Sequence, residues 1–236
     1  MSKILEAMRK TGGTSDFGFR LETLGGERLF PTPSGKQIAE FERLANELVS
    51  MHTGERGMVL AFASSVTGEG ASYVSFNVAR HLSFLLDRKV AWVDANFQNP
   101  QRRLDAEVCD FRSMLEDHSR FKDIPDAGNL AVLANGKTKF KATHLITAPG
   151  YRDLLDSFRE NFFFTILDAP PILESVDLVH LARPTDGLVV VVEARRLKHE
   201  IIRHGIETVS TQGIKVIGSV VNRRTFDIPG FLYRKL

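Results

Sequence analysis

From Met58 to Arg80 the chain reads MVLAFASSVTGEGASYVSFNVAR, an apolar run, then a glycine-bearing turn, then helix-forming sequence. The run 58–62 is too short for a helix and predicts a buried strand. Ser64 to Gly70 gathers small residues that let backbone N–H groups converge on an anion. A helix beginning near Ala71, with its body over 72–86, aims the positive end of its dipole at the same point. The three parts together predict a phosphate-binding loop. A working loop of this kind carries a lysine directly after its last glycine, reaching the outer phosphates, and then Ser or Thr on the magnesium. Here the order is Gly70, Ala71, Ser72. The cradle and the metal-ligand hydroxyl are present, and the cation is absent.

The same logic extends in both directions. Before the loop, Ile38, Phe41, Leu44, Ala45 and Leu48 recur at helical spacing over 36–51, with Ser34 as N-cap and Gln37 three residues on. After it, KVAWVD at 89–94 predicts a second buried strand, completing a parallel βαβ unit. Residues 95–129 are polar and irregular, with a short helix near 112–118, and 130–133 is a weak strand. Helices follow at 151–160, 174–182 and 198–212, alternating with strands at 161–168, 187–192 and 214–221. Apolar strands that do not alternate, separated by helices, indicate a parallel sheet covered on both faces. The predicted fold is α/β, a three-layer P-loop NTPase-like domain with a mostly parallel central sheet. Residues 1–34 form an extended, partly disordered arm, 35–222 the P-loop domain including an N-terminal helix at 35–52, and 223–236 a basic tail.

A chain of 236 residues with 43% hydrophobic and 25% charged residues has the composition of one globular domain. Its formal charge of +2 carries no footprint for nucleic acid, and none is expected as a partner. The single cysteine, Cys109, cannot form an internal disulfide, which suits a reducing compartment. No run approaches a membrane span and no signal-peptide core opens the chain, so a cytoplasmic protein is expected, reaching a membrane only through a partner or surface patch.

Ligands of open α/β sheets gather at the carboxyl ends of the strands. The loop after Phe62, Asp94 after the second strand and Asp168 after FFFTIL should therefore meet. Two such acids can hold magnesium, together with Ser72, and orient a nucleophile; alternatively each caps a neighbouring turn. No histidine stands at a metal-ligand spacing with cysteine or with a second histidine, so no zinc site is expected.

At this point a family resemblance becomes specific. The chain resembles the bacterial tyrosine kinases of capsule and exopolysaccharide synthesis, within the deviant-Walker ATPases that include MinD and ParA proteins. Their loop, SxxPGEGKST, is similar to SSVTGEGASYVSFNVA, which keeps Gly68, Glu69, Gly70, Ser72 and Asn77. Their DADLRRP resembles VDANFQNPQRR, with Asp94 kept and Asn96 in place of the second acid, and their DTPP resembles ILDAPP, with Asp168, Pro170 and Pro171. NLAVLANG is similar to NLxVLPxG, and GSVVN puts Asn222 where relatives use asparagine near the base. The match runs from about Ser34 to Asn222.

The resemblance implies ATP or ADP with magnesium as ligands. It places Thr67, Gly68, Glu69, Gly70, Ala71, Ser72, Tyr73 and Asn222 at the nucleotide, and Asp94 and Asp168 as catalytic acids. It also implies a membrane polysaccharide co-polymerase as partner. In those kinases an E-x-x-R pair bridges subunits of a ring, and Glu40 and Arg43 hold that spacing; they can equally form a local surface pair. The kinases carry a tail cluster of phosphorylated tyrosines, whereas this tail offers only Tyr233, a phosphoacceptor or a simple amphipathic anchor. Ala71 and the missing cluster suggest a catalytically impaired regulator or scaffold. The alternatives are an active autokinase or ATPase with a substitute cation, for which Arg102 and Arg103 are candidates, or a MinD- or ParA-like positioning ATPase.

Overall fold

The computed structural model describes residues 23–24, 27–99, 110–124, 128–136 and 142–224. Ser34 opens the first helix, α1 (Gly35–Met51), with a full capping box: its side chain accepts from the Gln37 N–H while Gln37 returns a bond to the Ser34 N–H. Phe41, Ala45 and Leu48 form the buried stripe of α1. Ahead of it lies a two-residue antiparallel ribbon, β1 (Thr23–Leu24) and β2 (Glu27–Arg28).

The remaining elements run β3 (Met58–Ser64), α2 (Ala71–Leu86), β4 (Val90–Asp94), α3 (Phe111–Glu116), β5 (Leu130–Leu133), α4 (Ala142–Thr147), α5 (Gly150–Asn161), β6 (Phe164–Asp168), α6 (Asp177–Ala182), β7 (Gly187–Glu193), α7 (His199–Thr211) and β8 (Val216–Asn222). The six strands from β3 onward form one parallel sheet in the order β5-β4-β6-β3-β7-β8. Alternation along β3 shows why its sequence is apolar without a break. Val59, Ala61 and Ala63 enter the core on one face of the sheet, and Leu60 and Phe62 enter the core on the other. The first core is closed by α3, α4, α5, α6 and α7, the second by α1 and α2. The architecture is the expected three-layer α/β P-loop fold.

Several elements differ from expectation in detail. The strand expected over 161–168 begins at Phe164, because Asn161 completes α5. The helix expected over 174–182 begins at Asp177, because Ile172 and Leu173 are first drawn into backbone bonds with Ser64 and Ser65. The short helix α3 is capped by Asp110, and a 3-10 turn (His118–Asp123) capped by Asp117 follows it. Helix α4 was not foreseen. At the end of the arm, Leu29 is buried and the Phe30 ring packs near Tyr73, Phe76 and Trp92, giving that stretch a place in the second core. Among the described residues no helix is long and apolar enough to cross a membrane.

Candidate functional site

The loop between β3 and α2 is shaped by two left-handed glycines, Gly68 (φ 90) and Gly70 (φ 93). A side chain at Gly70 would be strained and would collide with Asn222 Nδ2. Gly70 also serves as N-cap of α2 and supplies no side-chain bond, so the first-turn N–H groups of the helix keep no partner of their own. The helix therefore presents an uncapped, positively polarised end to the loop.

The loop is braced from within. Glu69 is fully buried, and its carboxylate accepts from the N–H groups of Ser65 (2.7 Å), Val66 (3.0 Å) and Glu193 (3.1 Å). From the ends of β7 and β8, Arg196 donates to the Thr67 carbonyl (2.6 Å), Arg223 to the Gly68 carbonyl (3.2 Å) and Asn222 to the Glu69 carbonyl (2.8 Å). Both arginines also pair with Glu193, at 3.0 and 3.1 Å. Their hydrogen bonds, Arg196 first, hold the Glu193 carboxyl below its ordinary range. Arg195 (φ 65) and Arg223 (φ 52) are left-handed without being glycine, so backbone strain is concentrated where β7 and β8 meet the loop.

Beside the loop, parallel pairing sets Asp94 directly opposite Asp168, and Phe62 opposite Asp168 on its other side. Both acids are fully buried. Asp94 accepts from the Asn96 backbone N–H at 3.2 Å, which helps to position its carboxylate. Neither oxygen of Asp168 meets a hydrogen-bond partner of good geometry, although the Ser72 hydroxyl is near enough to ease its ionisation. Burial, and then the neighbouring Asp94 charge, push the Asp168 carboxyl well above the ordinary carboxylate range. The Ser65 hydroxyl, at the loop's base, is likewise buried without a partner.

The strands thus bring Ser72, Asp94 and Asp168 to one end of the sheet, with Thr67 to Ser72 beside them. Ala71 is 7% exposed, facing inward where the motif's lysine would begin. Tyr73 contributes only its backbone at the loop, because its ring packs against Phe30 and Phe41. Asn222 spends its amide on the loop and on the Arg223 N–H. Glu40 and Arg43 are both exposed on α1, far in sequence from the loop, and no local ion pair joins them. Arg102, Arg103, Cys109 and Tyr233 lie outside the described residues.

Sequence reasoning missed four participants: Glu174, Glu193, Arg196 and Arg223. No motif marks them, but each lies at or beyond the carboxyl end of a sheet strand, and position alone could have nominated them. It also missed Arg112, which stacks over Phe97 with its guanidinium 5.0 Å from the ring centre and donates to Asn135 (2.8 Å). Asn135 in turn donates to the Asp94 carbonyl at 3.1 Å. Burial lowers the Arg112 pKa, against the opposing pull of Asp110, Asp94 and further acids.

Comparison with known proteins bears on the fold and on what the chain resembles. No family model matches the chain. It is 25% identical over 178 residues to the tyrosine-protein kinase CpsD of Streptococcus agalactiae, covering 72% of this chain and 77% of CpsD. It is 23% identical over 182 residues to the succinoglycan biosynthesis transport protein ExoP of Rhizobium meliloti, covering 73% of this chain but only 23% of ExoP. Among solved structures, the VpsO kinase domain superposes with a TM-score of 0.68 at 20% identity, covering 80% of this chain and 97% of that domain. The Pyrococcus furiosus cell division ATPase MinD superposes at 0.57 with 19% identity, covering 76% and 78% of the two chains. The chain is similar in sequence to tyrosine-protein kinases such as CpsD, and its fold is the one that the VpsO kinase domain and MinD share.

Proposed function

We propose that this relative of the capsule tyrosine kinases binds a magnesium nucleotide at the β3–α2 loop but transfers phosphate poorly. On this reading it serves exopolysaccharide or capsule assembly as a regulator or scaffold of a membrane polysaccharide co-polymerase. One observation carries the reading: Ala71 stands where phosphoryl transfer needs a lysine, beside two adjacent buried acids. Losing one preorganised cation at a transferring phosphoryl group costs roughly a hundredfold or more in rate.

The residues fit the ligands. A fully buried carboxylate without a hydrogen-bond partner, next to a second carboxylate, is an oxygen donor set that a divalent cation would satisfy. Asp168 and Asp94, with the Ser72 hydroxyl, would hold magnesium, which when bound neutralises charge on the phosphates. The N–H groups at the head of α2 would hold the phosphates, and the glycine at position 70 lets Asn222 close against the loop. Burial and the Asp94 charge disfavour the ionised form of Asp168, and a cation held there would favour it. A link to polysaccharide export draws support from ExoP, which is named a succinoglycan biosynthesis transport protein.

The test is calorimetric titration with ATP and ADP, with and without magnesium, for the native chain and for Ala71→Lys. Weak magnesium-dependent native binding that the variant strengthens supports an impaired site, and no binding by either chain would overturn the nucleotide site. Tight magnesium-dependent native binding with turnover would sink the scaffold reading in favour of an active autokinase or ATPase. Arg112 gives that second reading a specific footing, since its half-buried guanidinium lies within electrostatic reach of Asp94.

A further inference from the structure

The segment after β6 passes Pro170 and Pro171 and runs on beside the loop in the same direction. The Ile172 N–H donates to the Ser64 carbonyl at 2.8 Å and the Leu173 N–H to the Ser65 carbonyl at 3.0 Å. This pairing carries Glu174 to the rim of the loop. There its two carboxylate oxygens accept the Thr67 N–H, at 3.1 and 3.2 Å, and one of them also accepts the Thr67 hydroxyl. With Arg196 on its carbonyl, Thr67 has every polar group engaged inside the chain.

A carboxylate and a phosphate offer N–H donors the same acceptor chemistry, and two anions held at one donor repel each other. The N–H groups nearer the helix serve the inner phosphates of a nucleotide. An anion at Thr67, on the leading side of the loop, therefore stands where a row of phosphates would end. Behind this rim lie the buried, unpartnered oxygens of Ser65 and Asp168, which mark the loop as built to meet a ligand.

We infer that Glu174 screens the loop against a terminal phosphate. Its carboxylate takes the place of the last phosphate, so the chain accepts a nucleoside diphosphate in preference to a triphosphate until Glu174 is displaced. The inference rests on the reading of the loop as a nucleotide site. Glu174 is exposed, and only the Thr67 bonds and its own short segment hold it in place.

The experiment titrates ATP and ADP, each with magnesium, into the native chain, Glu174→Gln and Thr67→Val, and into each of these with Ala71→Lys added. Circular dichroism and thermal melting verify that every variant is folded. Glu174→Gln should tighten ATP by about tenfold and ADP by less than about threefold, as expected when one anionic competitor is neutralised. Thr67→Val, which removes one donor to the carboxylate, should move the ratio in the same direction by less. If Ala71→Lys binds both nucleotides and Glu174→Gln leaves their ratio unchanged, the screening role is wrong and the nucleotide site stands. If no chain binds either nucleotide, including the doubly substituted one, both readings fall together.

Discussion

At Asp168 the cost of burying a charge is visible in a single side chain. Below the ordinary carboxylate range, folded and unfolded chains both hold the proton, and the residue makes no difference to stability. As pH rises through that range the unfolded chain releases the proton while the folded chain retains it, so stability falls until the raised folded pKa is passed. Asp168→Asn removes this linkage. The variant should melt several degrees above the parent at neutral pH and level with it in acid, and magnesium should raise the melting temperature of the parent alone. Equal melting at neutral pH would contradict the burial argument. Glu69 shows the opposite economy, a buried carboxylate satisfied by three N–H donors. Glu69→Ala orphans all three and should cost about 3 kcal/mol in denaturant unfolding, against near neutrality for a surface change.

Helix α5 is tied to the sheet by a charge cluster at the end opposite the loop. Asp186 accepts from the Val59 N–H (2.7 Å) and from Arg159 (3.1 Å), and Arg159 also donates to the Pro184 carbonyl (2.9 Å). The Arg159 side chain is only 13% exposed, so Asp186→Ala would leave a guanidinium and an N–H largely out of water. A loss of about 3 kcal/mol is expected from urea unfolding, with nucleotide binding unaffected. The end of the arm offers an optical test, because Trp92 is the only tryptophan and Phe30 meets it edge-on at 6.2 Å. Trp92 also donates to the Ser75 hydroxyl at 2.9 Å, tying β4 to α2. Phe30→Ala should cost about 2 kcal/mol and shift Trp92 emission to the red as the arm loosens. Unchanged emission would mean that the arm does not cover that core.

For the molecule as a whole, the open matter is assembly. Glu40 and Arg43 sit exposed on one helix without pairing with each other, which leaves both available to a second copy of the chain. If they join subunits, light scattering should show an oligomer that the double change Glu40→Ala, Arg43→Ala reduces to the monomer mass, with the melting curve of the fold preserved. A native chain that is already monomeric at high concentration would remove this expectation.

The sequence by itself determined the parallel sheet, most of the elements around it and the meeting of the loop with Asp94 and Asp168. These follow from local facts: unbroken apolar runs, glycines with acids at strand ends, and a capping box written in Ser34 and Gln37. Family motifs then placed Ala71 as a departure. Tertiary structure alone decided what the loop touches. Glu174 is distant from Thr67 in sequence and Arg196 still more so, and neither contact has a period or spacing that could announce it. The two-faced split of β3 between cores, the orphaned Asp168 oxygens and the strained arginines at the ends of β7 and β8 likewise exist only once strands lie side by side. Pairing between strands brings residues together by register, and register is a property of the packed sheet rather than of any stretch within it.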